Sequence, residues 1–522
     1  MNLFRSAATV GGFTMISRVL GFVRDMLIAA LIGTGPVADA FVVAFRFPNL
    51  FRRLFGEGAF NAAFVPLFAR RLEEEGREAA RLFGQQVFSV LLAALLVLTI
   101  AAEISMPWLM YVIAPGFVDD PEKFDLAIVL TRIAFPYLLF MSLVALFSGV
   151  LNSMGRFAAA AAAPIVLNIV LISVLTVAAL LGLGNSRETG VLLTWGVAVA
   201  GALQFIMLVV ACYRAGMIFP AGRPRLTPGV KRLIALGIPG VIAGGITQIN
   251  ILIGTIIASL QEGAVSYLYY ADRVYQLPLG VVGIAIGIVL LPDLSRRLGA
   301  GDTDGVDESQ NRALEFSMLL TVPAAAALVV MPFPVVQVLF ERGAFNAADT
   351  YATAAAVAAF GLGLPSFVLI KVFSPGFFAR EDTRTPMIFA GISILTNVVG
   401  SLLLFSQIGH VGIAVASSVA GWINAILLIV TLMRRGQYTP DARLKQRLPR
   451  ILLASIAMGA VLWAVMTYAG EFFVASVTLE LRIAVLVALV ALGIAVFFAM
   501  AEATGAARLR ELMNQFRRSP VK

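Results

Sequence analysis

The chain has 522 residues, 60% of them hydrophobic and 13% charged, with a mean hydropathy of +0.93. Apolar runs of about 20 residues recur from end to end, which excludes a soluble domain and defines an all-α polytopic membrane protein. The net charge of +9 does not argue for nucleic acid, because the basic residues sit in short loops between apolar spans rather than on one soluble face.

In chain order, about fourteen helical segments are expected, at 6–32, 36–69, 83–113, 125–152, 158–182, 190–214, 230–260, 264–294, 312–340, 348–378, 386–406, 409–433, 449–470 and 480–503. Arg18 and Arg24 interrupt the first apolar run, so it is expected to stay as a span rather than be cleaved as a signal. The second segment is too long for one perpendicular crossing and is expected to bend or protrude near Pro48, Gly56 or Gly58. Lys and Arg are distributed 27 to 4 between alternate sets of loops, which predicts both termini in the cytoplasm. Cys212 is the one cysteine and His410 the one histidine, so neither an internal disulfide nor a His/Cys metal site is expected.

The chain repeats itself. Phe64-Val-Pro-Leu-Phe-Ala-Arg-Arg-Leu72 returns as Leu290-Leu-Pro-Asp-Leu-Ser-Arg-Arg-Leu298, Met106-Pro107 as Met331-Pro332, and Phe147-Ser148 as Phe373-Ser374. Asn168 is answered by Asn397 with a few residues of slippage. Six helices separate each pair, so two lobes of the same membrane orientation are predicted, 1–222 and 223–440, around a central cavity, with two extra helices in 441–522. The Gly-Ala-Phe-Asn-Ala-Ala echo at 58–63 and 343–348 has a different offset and reads as coincidence or local turn chemistry.

The first two segments carry the unusual charges. A charge at mid-bilayer costs between ~3 and ~15 kcal/mol, depending on how far snorkelling and water relieve it. Arg18, Arg24 and Arg52 exceed the carboxylates around them and point to a water-filled cavity that takes an anion, the bland alternative being snorkelling or structural pairing. The planar guanidinium fork suits phosphate or pyrophosphate. Ser17 shares a helical face with Arg24, and Asp25 with Arg18. Asp39, Arg46, Arg53 and Glu57 fall on one stripe, read as internal charge neutralisation. The second lobe keeps Asp272, Arg273 and Lys371 within its spans, a sparser set that leaves most of an anionic head group to the first lobe. No nucleophile set, metal cluster, phosphate loop or ATP-binding domain is evident, so a transporter without cofactor is expected rather than an enzyme.

Thr14-Met-Ile-Ser-Arg-Val-Leu-Gly-Phe-Val-Arg-Asp25, Asp39-Ala-Phe41, Pro48-Asn-Leu-Phe-Arg-Arg53 and Glu57-Gly-Ala-Phe60 resemble the MurJ (MviN) lipid II flippase family. Tyr270-Ala-Asp-Arg273, Gln276-Leu-Pro278, Leu369-Ile-Lys371 and Pro375-Gly-Phe377 extend the resemblance into the second lobe. It implies the multidrug/oligosaccharidyl-lipid/polysaccharide exporter fold, and as substrate undecaprenyl-pyrophosphate-linked disaccharide-pentapeptide moved to the outer leaflet of the bacterial inner membrane. It also implies functional arginines at Arg18, Arg24, Arg52 and Arg273, acids at Asp39 and Glu57, a lipid-tail groove in the last two helices, and membrane lipids and the cell-wall synthesis machinery as partners. An exporter of the same fold for another polyprenyl-linked glycan or for drugs is the alternative. One departure concerns ion coupling. Some members are thought to bind sodium through acids on the seventh and eleventh helices, whereas 233–260 and 386–433 here contain no Asp or Glu. Neutral oxygens alone are weak sodium ligands, so sodium coupling is not expected.

Overall fold

The structure, a computed structural model, describes residues 3–52, 60–474 and 477–506. Among these, seventeen α-helices follow one another without strands: α1 Leu3–Ile32, α2 Pro36–Arg52, α3 Phe60–Glu74, α4 Gly76–Ile113, α5 Pro121–Ala134, α6 Tyr137–Ser153, α7 Ala158–Leu180, α8 Arg187–Arg214, α9 Pro228–Ala258, α10 Ala264–Gly299, α11 Thr303–Val330, α12 Pro332–Phe340, α13 Ala347–Phe378, α14 Arg384–Ile408, α15 His410–Arg434, α16 Ala442–Ala469 and α17 Leu479–Thr504. Side-chain caps start several of them. Asp120 accepts from the Lys123 amide, Ser186 from Thr189 and Asp441 from Leu444, while Asn346 and Asp349 form a reciprocal capping box.

Ten helical stretches among the described residues are long and apolar enough to cross a membrane. Helices α1, α9 and α10 have 30, 31 and 36 residues; at 1.5 Å per residue each reaches about 45 Å or more, ample for a core of about 30 Å. Among the described residues the expected segments lie mostly on helix, 53–59 of the second falling outside them, and proline accounts for two refinements. The segment 125–152 is two helices that part at Phe135-Pro136, and 312–340 is two that part at Met331-Pro332. Pro48 does not end α2, which runs on to Arg52; Gly56 and Gly58 lie outside the described residues. The repeat pair Met106-Pro107 and Met331-Pro332 resolves differently in its two copies. Pro107 is carried inside α4, whereas Met331 turns out of helical conformation, at φ −127° and ψ 50°, before α12 begins.

The chain falls into two compact units, Met1–Ser266 with Arg342–Phe345, and Tyr267–Glu341 with Asn346–Lys522. Packing thus places α9 with the first unit, against α3 and α4. The segment Arg342–Phe345 joins it through a close backbone approach: the Ala344 amide donates to the Ala30 carbonyl at 2.8 Å. Gly343 has φ +59°, and a Cβ there would stand 2.1 Å from that same carbonyl oxygen, so only glycine fits. In the second unit α16 and α17 pack on α11 and α12 through Leu319, Met331, Val338, Met458, Leu462, Leu489 and Phe497. Arg482 of α17 donates to Glu341 at 3.3 Å and to the Val474 carbonyl at 2.8 Å, adding a polar tie to that apolar seam.

Candidate functional site

Helix α1 changes character along its length. From Val10 to Val23 its side chains are exposed or half-buried, and at Arg24 and Asp25 they become buried. A buried charge needs a partner and hydrogen bonds. Arg24 has both: Nε (3.0 Å) and Nη2 (2.7 Å) donate to Asp25 Oδ1, and Nη1 donates to Asn168 Oδ1 at 2.9 Å. Asn168, buried on α7, donates in turn to the Ser17 carbonyl at 2.8 Å and to Ser17 Oγ at 3.4 Å. One amide from a helix far along the chain therefore ties Arg24 to Ser17, and Asp25 joins them through Arg24. Arg18 lies outside that network. It is exposed and makes no hydrogen bond or ion pair among the described residues. Among the described residues, then, Arg24 of α1 is buried and paired, and Arg18 is exposed and unpaired.

Asp39 forms a second network. Fully buried, it accepts from Lys123 Nζ at 2.7 Å, the Gly263 amide at 2.9 Å, the Ser266 amide at 3.0 Å and Ser266 Oγ at 2.5 Å. Lys123 is 5% exposed and stands 4.2 Å from the centre of the Phe117 ring. Arg46 reaches Thr255 Oγ1 at 3.0 Å. The expected stripe does not neutralise itself between Asp39 and Arg46. Seven residues are two helical turns, about 10 Å along the axis, whereas side chains pair at three or four. Arg53 and Glu57 lie outside the described residues, as does the side chain of Arg52 at the end of α2.

In the second unit, Asp272 accepts from Gln276 one turn along α10, and the Arg273 guanidinium lies 4.7 Å from the centre of the Tyr269 ring. Lys371 is exposed on α13. Asn397, the counterpart of Asn168 in the repeat, is likewise buried and accepts from Ser417 Oγ at 3.0 Å. Sequence reasoning marked Asn168 only as a repeat position and counted Lys123 only as a loop charge. A polar amide in the apolar run Ile165–Leu171 was the available signal for the first; for Lys123 there was none. Among the described residues no group of three His, Cys, Asp or Glu could hold a metal ion.

Outside the spans, two loops of the second unit carry shifted groups. Between α13 and α14, hydrogen bonds from Thr385 and then Arg435 hold the Asp382 carboxyl down at about 2. Between α15 and α16, burial pushes the Tyr438 hydroxyl up, and it donates to Asn311 Oδ1 at 2.7 Å.

The family described as "Lipid II flippase MurJ" matches residues 28–483. A "Probable lipid II flippase MurJ" of Rhizobium meliloti is 51% identical over 519 residues, covering 99% of this chain and 97% of the relative. The "Lipid II flippase MurJ" of Burkholderia cenocepacia is 38% identical over 447 residues, covering 84% and 86%. Among solved structures, "Lipid II flippase MurJ, inward closed conformation" aligns with a TM-score of 0.79 at 25% identity, over 97% of this chain and 99% of that one. An inward-facing multidrug resistance MATE transporter of the MOP superfamily shares the fold, with a TM-score of 0.64 at 14% identity over 82% and 98%.

Proposed function

The chain belongs to the lipid II flippase MurJ family, and from that premise we propose that it carries lipid II from the inner to the outer leaflet of the cytoplasmic membrane by alternating access. The observation that carries the reading is the pair of arginines on α1, one exposed without a partner among the described residues and one buried and already oriented. Six residues put them about 9 Å apart along the helix. Arg18 supplies net positive charge to capture a pyrophosphate. Arg24, neutralised by Asp25, costs little to keep buried and offers its fork once the phosphate competes with Asp25 for it. Arg52 and Arg273 complete the clamp, with Ser17, Asp25, Asp39, Glu57, Asp272 and Lys371 as its polar surround.

The lobes 1–222 and 223–440 alternate around a central cavity, while 441–522 guides the lipid tail. Both termini are cytoplasmic, as the 27-to-4 loop asymmetry requires. Lipid II, membrane lipids and the cell-wall synthesis machinery are the partners. No reaction step is needed, so the chain acts as a transporter and not as an enzyme.

Depletion in a bacterial host, with lipid II assayed on each face of the membrane, tests this. Lipid II should accumulate on the cytoplasmic face before lysis, and a chain with Arg18→Ala should accumulate in the membrane without restoring the outer-face signal. Unchanged outer-face lipid II after depletion would overturn the reading.

A further inference from the structure

Helices α16 and α17 form a hairpin that the two-lobe repeat leaves over, and polar side chains pin both of its ends to α11 and α12. At one end, Glu315 of α11 is 8% exposed and accepts from three arginines. Arg443 Nε and Nη2 donate to its two oxygens, each at 3.1 Å, and Arg447 and Arg312 donate to it as well. Arg312 also bridges to Asp441, whose carboxylate caps α16 at the Leu444 amide. Asn311, one turn before Glu315, donates to the Thr439 carbonyl at 3.0 Å.

At the other end, Glu341 follows α12 and accepts from Arg482 at 3.3 Å, Gln337 at 2.9 Å and Thr350 Oγ1 at 2.8 Å. Arg482 stands in the first turn of α17 and is 7% exposed. Gln337 reaches on to the Phe473 carbonyl at 3.2 Å. About 33 Å of helix separates Arg447 from the end of α16 at Ala469, so the two sets of ion pairs hold opposite ends of the hairpin. Between them the contact is apolar: Ile451, Ala454, Met458 and Leu462 of α16 share one cluster with Leu319 and Met331. Gly459 brings α16 so near α11 that a Cβ there would lie 4.0 Å from the Ala326 methyl.

A hairpin tied at one end pivots. Tied at both, it neither pivots nor slides without leaving a buried carboxylate or guanidinium unpaired. We infer that Glu315 and Arg482 are positioning residues, which hold α11, α12, α16 and α17 as one rigid block throughout the transport cycle. Resting on the flipping function proposed above, this means that the lipid tail guided by 441–522 travels with the second unit.

A disulfide across the seam tests it. Ala326→Cys with Gly459→Cys, in a Cys212→Ser background, sets two Cβ atoms 4.0 Å apart, within reach of an S–S bond. Oxidation should cross-link nearly all of the full chain in reconstituted vesicles, and the oxidised chain should flip lipid II as fast as its reduced form. Flipping lost on oxidation and regained on reduction overturns the inference, as does a pair that fails to cross-link. Removing both ion pairs, by Glu315→Gln with Arg482→Met, should slow flipping severalfold in the reduced cysteine chain, and the disulfide should restore it. Rescue separates positioning from a merely structural role, which would lower abundance whether or not the disulfide forms. Cross-linking needs no flipping, so a parent chain that does not flip condemns the flipping function alone. The block is then judged by the rate of cross-linking, which should fall severalfold when both ion pairs are removed; equal rates overturn it.

Discussion

Lys123→Met tests whether Asp39 is held as a structural ion. Methionine keeps most of the lysine stem against Phe117 and removes only the ammonium. Asp39 is 0% exposed and would keep its bonds to Gly263 and Ser266, yet lose the single cation at 2.7 Å. Breaking a buried pair from one side costs about 3 to 5 kcal/mol, because the remaining charge stays out of water. Three surviving donors place the expected loss near ~3 kcal/mol, a large fraction of the ~5 to 15 kcal/mol that holds a typical domain together. The assay is abundance in membranes together with the unfolding midpoint in detergent by fluorescence-detected gel filtration. Lys123→Met should lower both, and adding Asp39→Asn should recover part of the loss, since Asn Oδ1 still accepts from Ser266. If Lys123→Met accumulates and melts like the parent, the pair is not structural; a variant that does so and still fails to flip would assign Asp39 to the substrate.

Further outcomes are expected. Arg24→Lys keeps charge without the fork and should impair complementation of a depletion strain, and Arg24→Ala should abolish it; Asn168→Ala removes one charge-assisted bond, worth about 1.5 to 3 kcal/mol, and should lower abundance, so an Asn168→Ala chain of normal abundance and activity would refute a structural role for the Arg24–Asn168 network. Replacing sodium by potassium should leave lipid II flipping unchanged in vesicles, and a strict sodium requirement would show that neutral oxygens suffice. A tag in the loop between α7 and α8 should be labelled from outside intact cells and one at the C-terminus only after permeabilisation; the reverse pattern overturns the orientation. The Asp382 carboxyl is depressed in the folded chain to about 2, so its contribution is full above the ordinary carboxylate value and is lost as pH falls toward 2; the difference in unfolding midpoint between the parent and Asp382→Asn should therefore persist from pH 7 to pH 5 and shrink below pH 4.

The helices were legible because membrane spans write themselves in composition. Every backbone polar group in the hydrocarbon must be satisfied within its own helix, so length and hydropathy alone mark α4, α7, α8, α11 and α13 to α17. The family was legible because its charged motifs are local: Ser17 to Asp25 lie within three turns of one helix. Partnerships were not, because they run across the fold. Sequence put Asp39 on a stripe with Arg46, yet Lys123 and the turn at Gly263 and Ser266 hold it; Arg24 looked unpartnered until Asn168, 144 residues away, came alongside. Hydropathy and helical period act within about four residues and can be read from a string. Which buried charge meets which donor is decided by how helices pack, and low dielectric then makes that tertiary choice decide both stability and the charge α1 presents to a substrate.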